Sequence, residues 1–211
     1  MEELNFYYAD KNYVEFLRQA EFEKRGFSKI PNINYGKDRR KKFFCGIILR
    51  INAFQYYCPV SSFKKKQECN NLIYVNNDIT SSLRFNFMFP IPTSYTKKII
   101  IDDMEIKSLE DLKYYSLVAR ELRYCQKHED SIRKNAFKVY NKIISGKRPY
   151  LEPHACDFEL LEQKCLEWQH IQQEKLKNGM LNYKELSLDN YIYTEDDFDE
   201  QDYDNSPSMK M

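Results

Sequence analysis

The sequence predicts an α+β fold, with an antiparallel sheet first and helices packed beside it in the C-terminal half. Segments rich in β-branched and aromatic residues follow one another closely between residues 42 and 101, whereas apolar residues recur at three- and four-residue spacing after Ser108. The 211 residues are 42% hydrophobic with only 5 Gly and 7 Pro. This composition excludes collagen-like, low-complexity and wholly disordered chains, and the length favours one domain with an appendage.

A short strand and a helix are predicted at the N-terminus. Leu4–Tyr8 is rich in aromatic residues, as strands are. Asp10 can cap a following helix, whose apolar face comprises Tyr13, Val14, Leu17 and Ala20. Residues 26–40 contain Pro31 and a basic run and are predicted to form a loop.

A β-hairpin is predicted next, from Lys42–Ile51 and Phe54–Cys58 joined by two residues. Pro59 is expected to end the second strand, and residues 60–66 are expected to form a loop. Further strands are predicted at Leu72–Val75, Leu83–Phe89 and Lys98–Ile101, the second of them from its period-two alternation.

Three helices are predicted in the C-terminal half. Ser108 begins a capping-box-like sequence, and the apolar face of the helix that follows comprises Leu112, Tyr115, Ala119, Leu122 and Cys125. The second helix has an apolar face made of Ile132, Ala136, Val139 and Ile143 and ends at Gly146. The third runs from about Asp157 to Gly179. We therefore expect a single domain over residues 1–180 and an acidic, disordered tail over residues 181–211.

Cysteine usage and short apolar runs predict a cytoplasmic location and no membrane partner. The longest apolar runs, such as Phe43–Leu49, are far shorter than the ~20 residues that cross a bilayer, and the acidic N-terminus lacks the pattern of a secretory signal. The six cysteines form no C-x-x-C pair, so we expect small buried side chains rather than disulfides or a zinc site.

The net charge of +1 conceals a basic body and an acidic tail. Residues 185–211 carry nine acidic side chains and one lysine, a net charge of −8, which leaves +9 for residues 1–184. Residues 35–66 hold nine basic side chains against Asp38 alone, interleaved with aromatic residues. This mixture favours a polyphosphate ligand whose bases stack, such as RNA, although a solvated charged face over an aromatic core is the alternative. The tail is interpreted as solvated, with folding back onto the basic region as its alternative.

Two serines and a lysine follow the predicted hairpin within four residues. A loop at a strand end can direct Ser62 and Lys64 to the same side, and Lys42 would come close if the hairpin pairs as predicted. Neighbouring ammonium groups disfavour each other's charged form, so one can move a proton while the other stabilises phosphate oxygens. This chemistry suits RNA cleavage by the 2′-hydroxyl, with Ser62 on the phosphate, Ser61 supporting it and Tyr35 stacking on a base or supplying a proton. A surface loop with solvated lysines is the alternative.

The distribution of carboxylates and histidines predicts a reaction that uses no metal ion and no other cofactor. The basic region lacks the clustered carboxylates that a metal-dependent nuclease needs. The three histidines, His128, His154 and His170, all fall in the helical half, which disfavours a histidine-pair ribonuclease.

Five short motifs follow one another over about residues 4–170. They are Phe6-Tyr7 before the Tyr13–Leu17 helix, Lys42–Leu49, Tyr57–Lys64, Phe87–Ile91 and Cys156–Glu162. In this order and spacing they resemble the ToxN/AbiQ endoribonuclease family, the toxins of type III toxin–antitoxin systems. Two positions depart from the family pattern, because Ser61 replaces a threonine and Phe63 replaces a proline.

The resemblance implies a compact, strongly twisted antiparallel sheet, a Kid/MazF-like barrel wrapped by helices. It implies a metal-independent endoribonuclease toxin that leaves a 2′,3′-cyclic phosphate and acts on cellular or phage mRNA in abortive phage defence. It also implies an RNA antitoxin, a repeated pseudoknot, bound in a closed toxin–RNA oligomer. Family active-site positions fall on Tyr35, Lys42, Ser61, Ser62 and Lys64. The neighbouring residues expected to bind RNA are Lys37, Arg39, Arg40, Lys41, Phe63, Lys65 and Lys66.

Two other functions stay open from the sequence. One is a non-catalytic RNA-binding module on the same scaffold, which uses only the basic and aromatic surface. The other is a MazF-like ribonuclease toxin that a protein antitoxin neutralises.

Overall fold

A computed structural model of the protein describes residues 3–33, 42–147 and 149–179. Within these ranges the strands are β1 (Asn5–Ala9), β2 (Phe44–Ile51), β3 (Phe54–Ser61), β4 (Asn70–Val75), β5 (Asp78–Arg84), β6 (Phe89–Pro90) and β7 (Thr96–Lys98). The helices are α1 (Lys11–Arg25), α2 (Leu109–Lys127), α3 (Glu129–Ile144) and α4 (Phe158–Lys177). The predicted mixture of an antiparallel sheet with C-terminal helices is confirmed.

Strand β3 lies in the middle of the sheet. The strand order is β4-β5-β3-β2-β1-β7, with β6 also paired to β3, and all the pairs are antiparallel. In the described part of the chain β4 and β7 form the two ends of this order, so the sheet is open there. The closed barrel implied by the resemblance therefore stays a prediction.

Pro59 does not end its strand, contrary to the prediction. Pro59 lies within β3, where it is paired with Phe44 of β2, and the two residues after it pair with β5. The amide of Val60 donates to the carbonyl of Phe43 across β2, at 3.2 Å. Alternate amides of a strand point to opposite neighbours, so the nitrogen of Pro59 points away from β2. On that other side of β3, Pro59 lies between the residues paired with β6 and those paired with β5. No ladder hydrogen bond is lost at that position.

Two predicted strands are misplaced. Leu83–Phe89 was expected to be one strand, but β5 covers Asp78–Arg84, a 3₁₀ turn covers Phe85–Phe87, and β6 follows. The polar start of β5 pairs with β4, to which a tight turn connects it. In this turn Asn76 and Asn77 both have positive φ, 53° and 69°. Similarly, Lys98–Ile101 is replaced by Thr96–Lys98, whose exposed lysines suit an edge strand.

Side-chain caps begin three of the helices; the caps at Asp10 and Ser108 were predicted, and Asp157 lies at the predicted start of the third C-terminal helix. The caps Asp10, Ser108 and Asp157 accept from the amides of Tyr13, Asp111 and Leu160 at 2.8, 3.1 and 3.1 Å. The apolar face of α3 is confirmed, since Ile132, Ala136 and Val139 are buried.

The predicted face of α2 is wrong in part. Val118, Glu121 and Cys125 are its buried residues, whereas Leu112 is 46% exposed. Apolar residues occur on more than one side of this helix, so packing against the sheet selects the face.

The half-buried carboxylate of Glu162 links helix α4 to the sheet and to α3. Glu162 accepts from the hydroxyls of Tyr56, at 2.6 Å, and Tyr140, at 2.9 Å. Burial raises the pKa of Tyr56 and brings that of Tyr140 to about 12, so both phenols stay protonated donors. All six cysteines are buried and unbridged, as predicted. No helix in the described ranges is long and apolar enough to cross a membrane.

Candidate active site

The candidate site forms where β3 ends. Ser61 is the last residue of β3 and is paired with Ser82 of β5. Ser62 and Lys64 are exposed in the loop that follows, while Ser61 and Phe63 are half-buried. The predicted hydroxyl and ammonium groups therefore lie at the end of a strand that is paired on both sides.

The β2–β3 register brings Lys42 to the same place. Phe44 is opposite Pro59, and Val60 is bonded to Phe43. The same register extended by two residues places Lys42 opposite Ser61, and opposite residues of an antiparallel pair project from one face. Lys42 is exposed. The predicted approach of Lys42 to the serine loop thus agrees with the hairpin register.

Two serine hydroxyls shape the first part of the loop. Ser61 Oγ accepts from the amide of Phe63 at 3.3 Å, which forms a local bend. Ser82 Oγ, fully buried, donates to the carbonyl of Phe63 at 2.6 Å. Both polar groups of the Phe63 backbone are therefore fixed, with Ser62 and Lys64 on either side of it.

Asn70 holds the second part of the loop. This residue is 2% exposed; its Oδ1 accepts from the amide of Gln67 at 2.9 Å and its Nδ2 donates to the carbonyl of Lys65 at 2.8 Å. Lys66 Nζ donates to the Asn70 carbonyl at 2.9 Å, so this lysine, which we expected to bind RNA, also braces the loop. A loop held by these five hydrogen bonds is preorganised for binding.

Arg84, the last residue of β5, adds a cation that the sequence did not predict. Its Cζ lies 4.7 Å from the ring centroid of Phe63 and 4.5 Å from that of Phe87, over both rings. Burial lowers the pKa of its guanidinium from the usual value. Its place beside the serine loop depends on the β3–β5 pairing, for which the sequence carried no recognisable signal.

Gly46 makes room for the ring of Tyr57, which packs across three strands of the sheet. A Cβ at Gly46 would collide with the ring of Tyr57. The same ring meets Tyr7 edge to face, with centroids 5.3 Å apart. This close packing of the β1, β2 and β3 strands explains why a glycine occupies a strand interior here.

A buried carboxylate fixes the segment that leads to the basic run. Glu21, fully buried, accepts from Ser28 Oγ and the amide of Lys29, both at 2.8 Å, and from the amide of Asp157 at 2.7 Å. Arg25 neutralises it at 3.1 Å. The remaining predicted residues of this region, Tyr35, Lys37, Arg39, Arg40 and Lys41, lie outside the described residues.

The described part of the chain contains no group of three or more His, Cys, Asp or Glu side chains placed to hold a metal ion. The chemistry that the site can offer from its own residues comes from hydroxyls and cations.

The order of these elements and the strand-end loop agree with a known family. Residues 5–166, well over half of the chain, match the sequence model of the family described as toxin ToxN, type III toxin–antitoxin system. The chain belongs to this family. The resemblance drawn from the five motifs is therefore confirmed.

Individual ToxN-family proteins are similar over most of their length. The chain is 27% identical to the endoribonuclease ToxN of Bacillus thuringiensis subsp. kurstaki, over 81% of this chain and 87% of that protein. It is 25% identical to the endoribonuclease AbiQ of Lactococcus lactis subsp. lactis, over 77% and 87%.

Solved structures of type III toxins share the fold. One, a toxin selectively inhibited by a non-coding RNA pseudoknot, has a TM-score of 0.67 at 24% identity and covers 80% of this chain and 99% of its own. AbiQ, described as a lactococcal anti-phage endoribonuclease, has a TM-score of 0.65 at 22% identity, with the same coverage.

Proposed function

We propose that this ToxN-family protein is a metal-independent endoribonuclease toxin. In this mechanism the 2′-hydroxyl of the substrate RNA attacks the adjacent phosphorus, the 5′-oxygen of the next nucleotide leaves, and the products carry a 2′,3′-cyclic phosphate and a 5′-hydroxyl. The observation that supports the proposal is the braced loop at the end of β3, which carries Ser62 and Lys64 next to Ser61. The β2–β3 register, extended by two residues, sets Lys42 opposite Ser61. The names of the relatives support the activity.

The residues have separate roles in this proposal. Ser62, exposed on the bend, hydrogen-bonds a non-bridging oxygen, and Ser61 holds the bend through the Phe63 amide. Lys42 and Lys64 supply the proton transfer and the charge that stabilises the phosphorane. Tyr35 stacks on a base or supplies a proton, and the cations expected to bind the flanking RNA are Lys37, Arg39, Arg40, Lys41 and Lys65. The substrates are cellular or phage mRNAs.

Product chemistry tests the reaction. The purified protein is incubated with a single-stranded RNA, with and without EDTA, and with the same RNA carrying a 2′-deoxy nucleotide at the cleaved position. We expect cleavage that EDTA leaves unchanged, a 2′,3′-cyclic end, and no cleavage of the deoxy substrate. Cleavage of the deoxy substrate, or loss of activity in EDTA, would contradict the mechanism.

A matched pair of lysine variants separates catalysis from binding. Lys64 and Lys65 are adjacent and both exposed. Lys64→Ala should lower the cleavage rate at least 100-fold and weaken binding to an uncleavable 2′-O-methyl RNA only a few-fold, since one of many phosphate contacts is lost. Lys65→Ala should weaken binding similarly and leave the cleavage rate near normal. Equal cleavage rates in the two variants would favour another catalytic group, and RNA binding without any cleavage by the unaltered protein would favour the non-catalytic RNA-binding module.

We infer that the inhibitor is an RNA antitoxin, a repeated pseudoknot that binds this surface in a closed toxin–RNA oligomer, and that the system acts in phage defence. The non-coding RNA pseudoknot reported for a similar structure supports the class of partner. Co-purification from the native operon, followed by sequencing of the bound RNA, tests it. A small bound protein in place of RNA would instead favour a protein-neutralised toxin.

The remaining sequence predictions belong to the same proposal. We place the catalytic domain within residues 1–180, with 181–211 as an acidic tail, in the cytoplasm. The Kid/MazF-like barrel is proposed for the complete sheet.

A further inference from the structure

Among the described residues, the half-buried Arg84 differs from Arg25 and Arg133 in what its guanidinium contacts. Arg18 also has an Nε without a hydrogen-bond partner, but a carboxylate, that of Glu15, lies 3.7 Å from its guanidinium. Arg25 is paired with Glu21 and donates to the carbonyls of Ala155 and Glu152 at 2.8 and 2.7 Å. Such an arginine satisfies backbone acceptors, which is a structural role.

Arg133 has the same kind of surroundings. It is paired with Glu129 at 2.7 Å and donates to the carbonyls of Ile47 and Ile48, where the β2–β3 register shifts. Both structural arginines therefore have a carboxylate and carbonyl oxygens as acceptors.

Arg84 has neither kind of acceptor in the described part of the chain. Its Nε is buried without a hydrogen-bond partner, and no carboxylate of those residues lies within ion-pair distance of it. Its favourable contacts are the rings of Phe63 and Phe87. Cation–π contacts hold a guanidinium in one orientation but leave its N–H groups without acceptors.

The position of Arg84 indicates the missing acceptor. Phe63, over whose ring the guanidinium lies, is the residue between Ser62 and Lys64. The guanidinium is therefore held beside the loop to which we assign the substrate phosphate. A planar guanidinium donates two parallel hydrogen bonds to phosphate oxygens, and the bond is stronger where water is excluded.

We propose that Arg84 is a substrate-binding residue that donates to non-bridging oxygens of an RNA phosphate at the serine loop. This inference rests on the proposed ribonuclease function. Phe63 and Phe87 fix the orientation of the guanidinium before RNA binds.

Binding of an uncleavable 2′-O-methyl RNA at several salt concentrations tests the contact. Arg84→Gln should weaken binding about tenfold and flatten the slope of log K against log salt by about 0.7, the value for one lost phosphate contact on a single strand. Arg84→Lys keeps the charge and should restore the slope. Arg123→Gln, at an exposed position of α2, is the matched loss of charge and should leave both values unchanged.

Cleavage of the corresponding unmodified RNA provides the second measurement. Arg84→Lys should still lower kcat about tenfold, because an ammonium lacks the planar pair of donors. A normal salt slope for Arg84→Gln together with a normal kcat for Arg84→Lys would overturn the proposal. If Arg84→Gln does not fold, a normal kcat for the lysine variant alone overturns it. If the unaltered protein cleaves no RNA, the ribonuclease proposal fails, while the salt slopes still decide whether Arg84 contacts RNA.

Discussion

Ser82→Ala should destabilise the loop that carries Ser62 and Lys64. The fully buried Ser82 hydroxyl donates to the Phe63 carbonyl at 2.6 Å, and the variant leaves that carbonyl without its donor. A lost hydrogen bond of this kind costs about 1–2 kcal/mol. For a chain of this size the loss corresponds to a fall in Tm of roughly 2–8 °C.

The same change should reduce activity, since Ser62 and Lys64 flank Phe63 in the loop that Ser82 holds. We expect kcat to fall about tenfold at a temperature where the variant is fully folded, because small displacements of positioned groups strongly slow a reaction. Tm is measured by circular dichroism, and kcat with a fluorogenic RNA under saturating conditions.

Ser81→Ala is the matched control, one residue away on the same strand. Ser81 is also buried, at 5% exposure, but its hydroxyl has no hydrogen-bond partner among the described residues. Its removal should change stability by less than about 0.5 kcal/mol or increase it, with normal kcat. Equal losses in the two variants would refute the claim that the Ser82–Phe63 bond holds the loop.

Three further predictions concern the fold around the site. Gly46→Ala places a Cβ against the Tyr57 ring and should lower the free energy of unfolding by about 1–3 kcal/mol, measured by urea unfolding. A urea midpoint equal to that of the unaltered protein would contradict this expectation. Glu21→Gln removes the charge that neutralises Arg25 and should cost about 3–5 kcal/mol in the same assay, whereas a loss below about 1 kcal/mol would show that the network is not a stabilising one. Burial raises the pKa of Asp10, so protons bind the folded state more readily and stability should fall as pH rises from the unfolded pKa through the raised one. Asp10→Asn keeps a capping side chain and should raise Tm at pH 7, with the gain shrinking towards pH 4; a constant gain would exclude this cause.

The features that the sequence predicted correctly are local ones. The predicted caps Asp10 and Ser108 each accept from an amide three residues later, so a few contiguous residues decide where these two helices begin. The strand-end loop could be predicted for the same reason, since Ser61, Ser62 and Lys64 are contiguous.

The features that the sequence missed depend on pairing between distant segments. The polar start of β5 becomes a strand because the Asn76–Asn77 turn returns the chain along β4. Ser82 and Arg84 reach the site only through the β3–β5 ladder. No local pattern of Thr, Ser and Leu distinguishes such a strand from a loop, and the contribution of these residues could not be predicted.

The site depends on the register of β3 with two neighbours at once. The ladder with β2 brings Lys42 opposite Ser61, and the ladder with β5 brings Ser82 opposite the same residue. A slip of one residue in either ladder would turn the affected side chains to the other face of the sheet. Pro59 restricts such slips, because its nitrogen lacks a proton and fits only where no acceptor faces it, between β6 and β5. The proline that suggested a strand end thus favours the register in which Ser82 pairs with Ser61 and the extended β2 ladder sets Lys42 opposite the same residue.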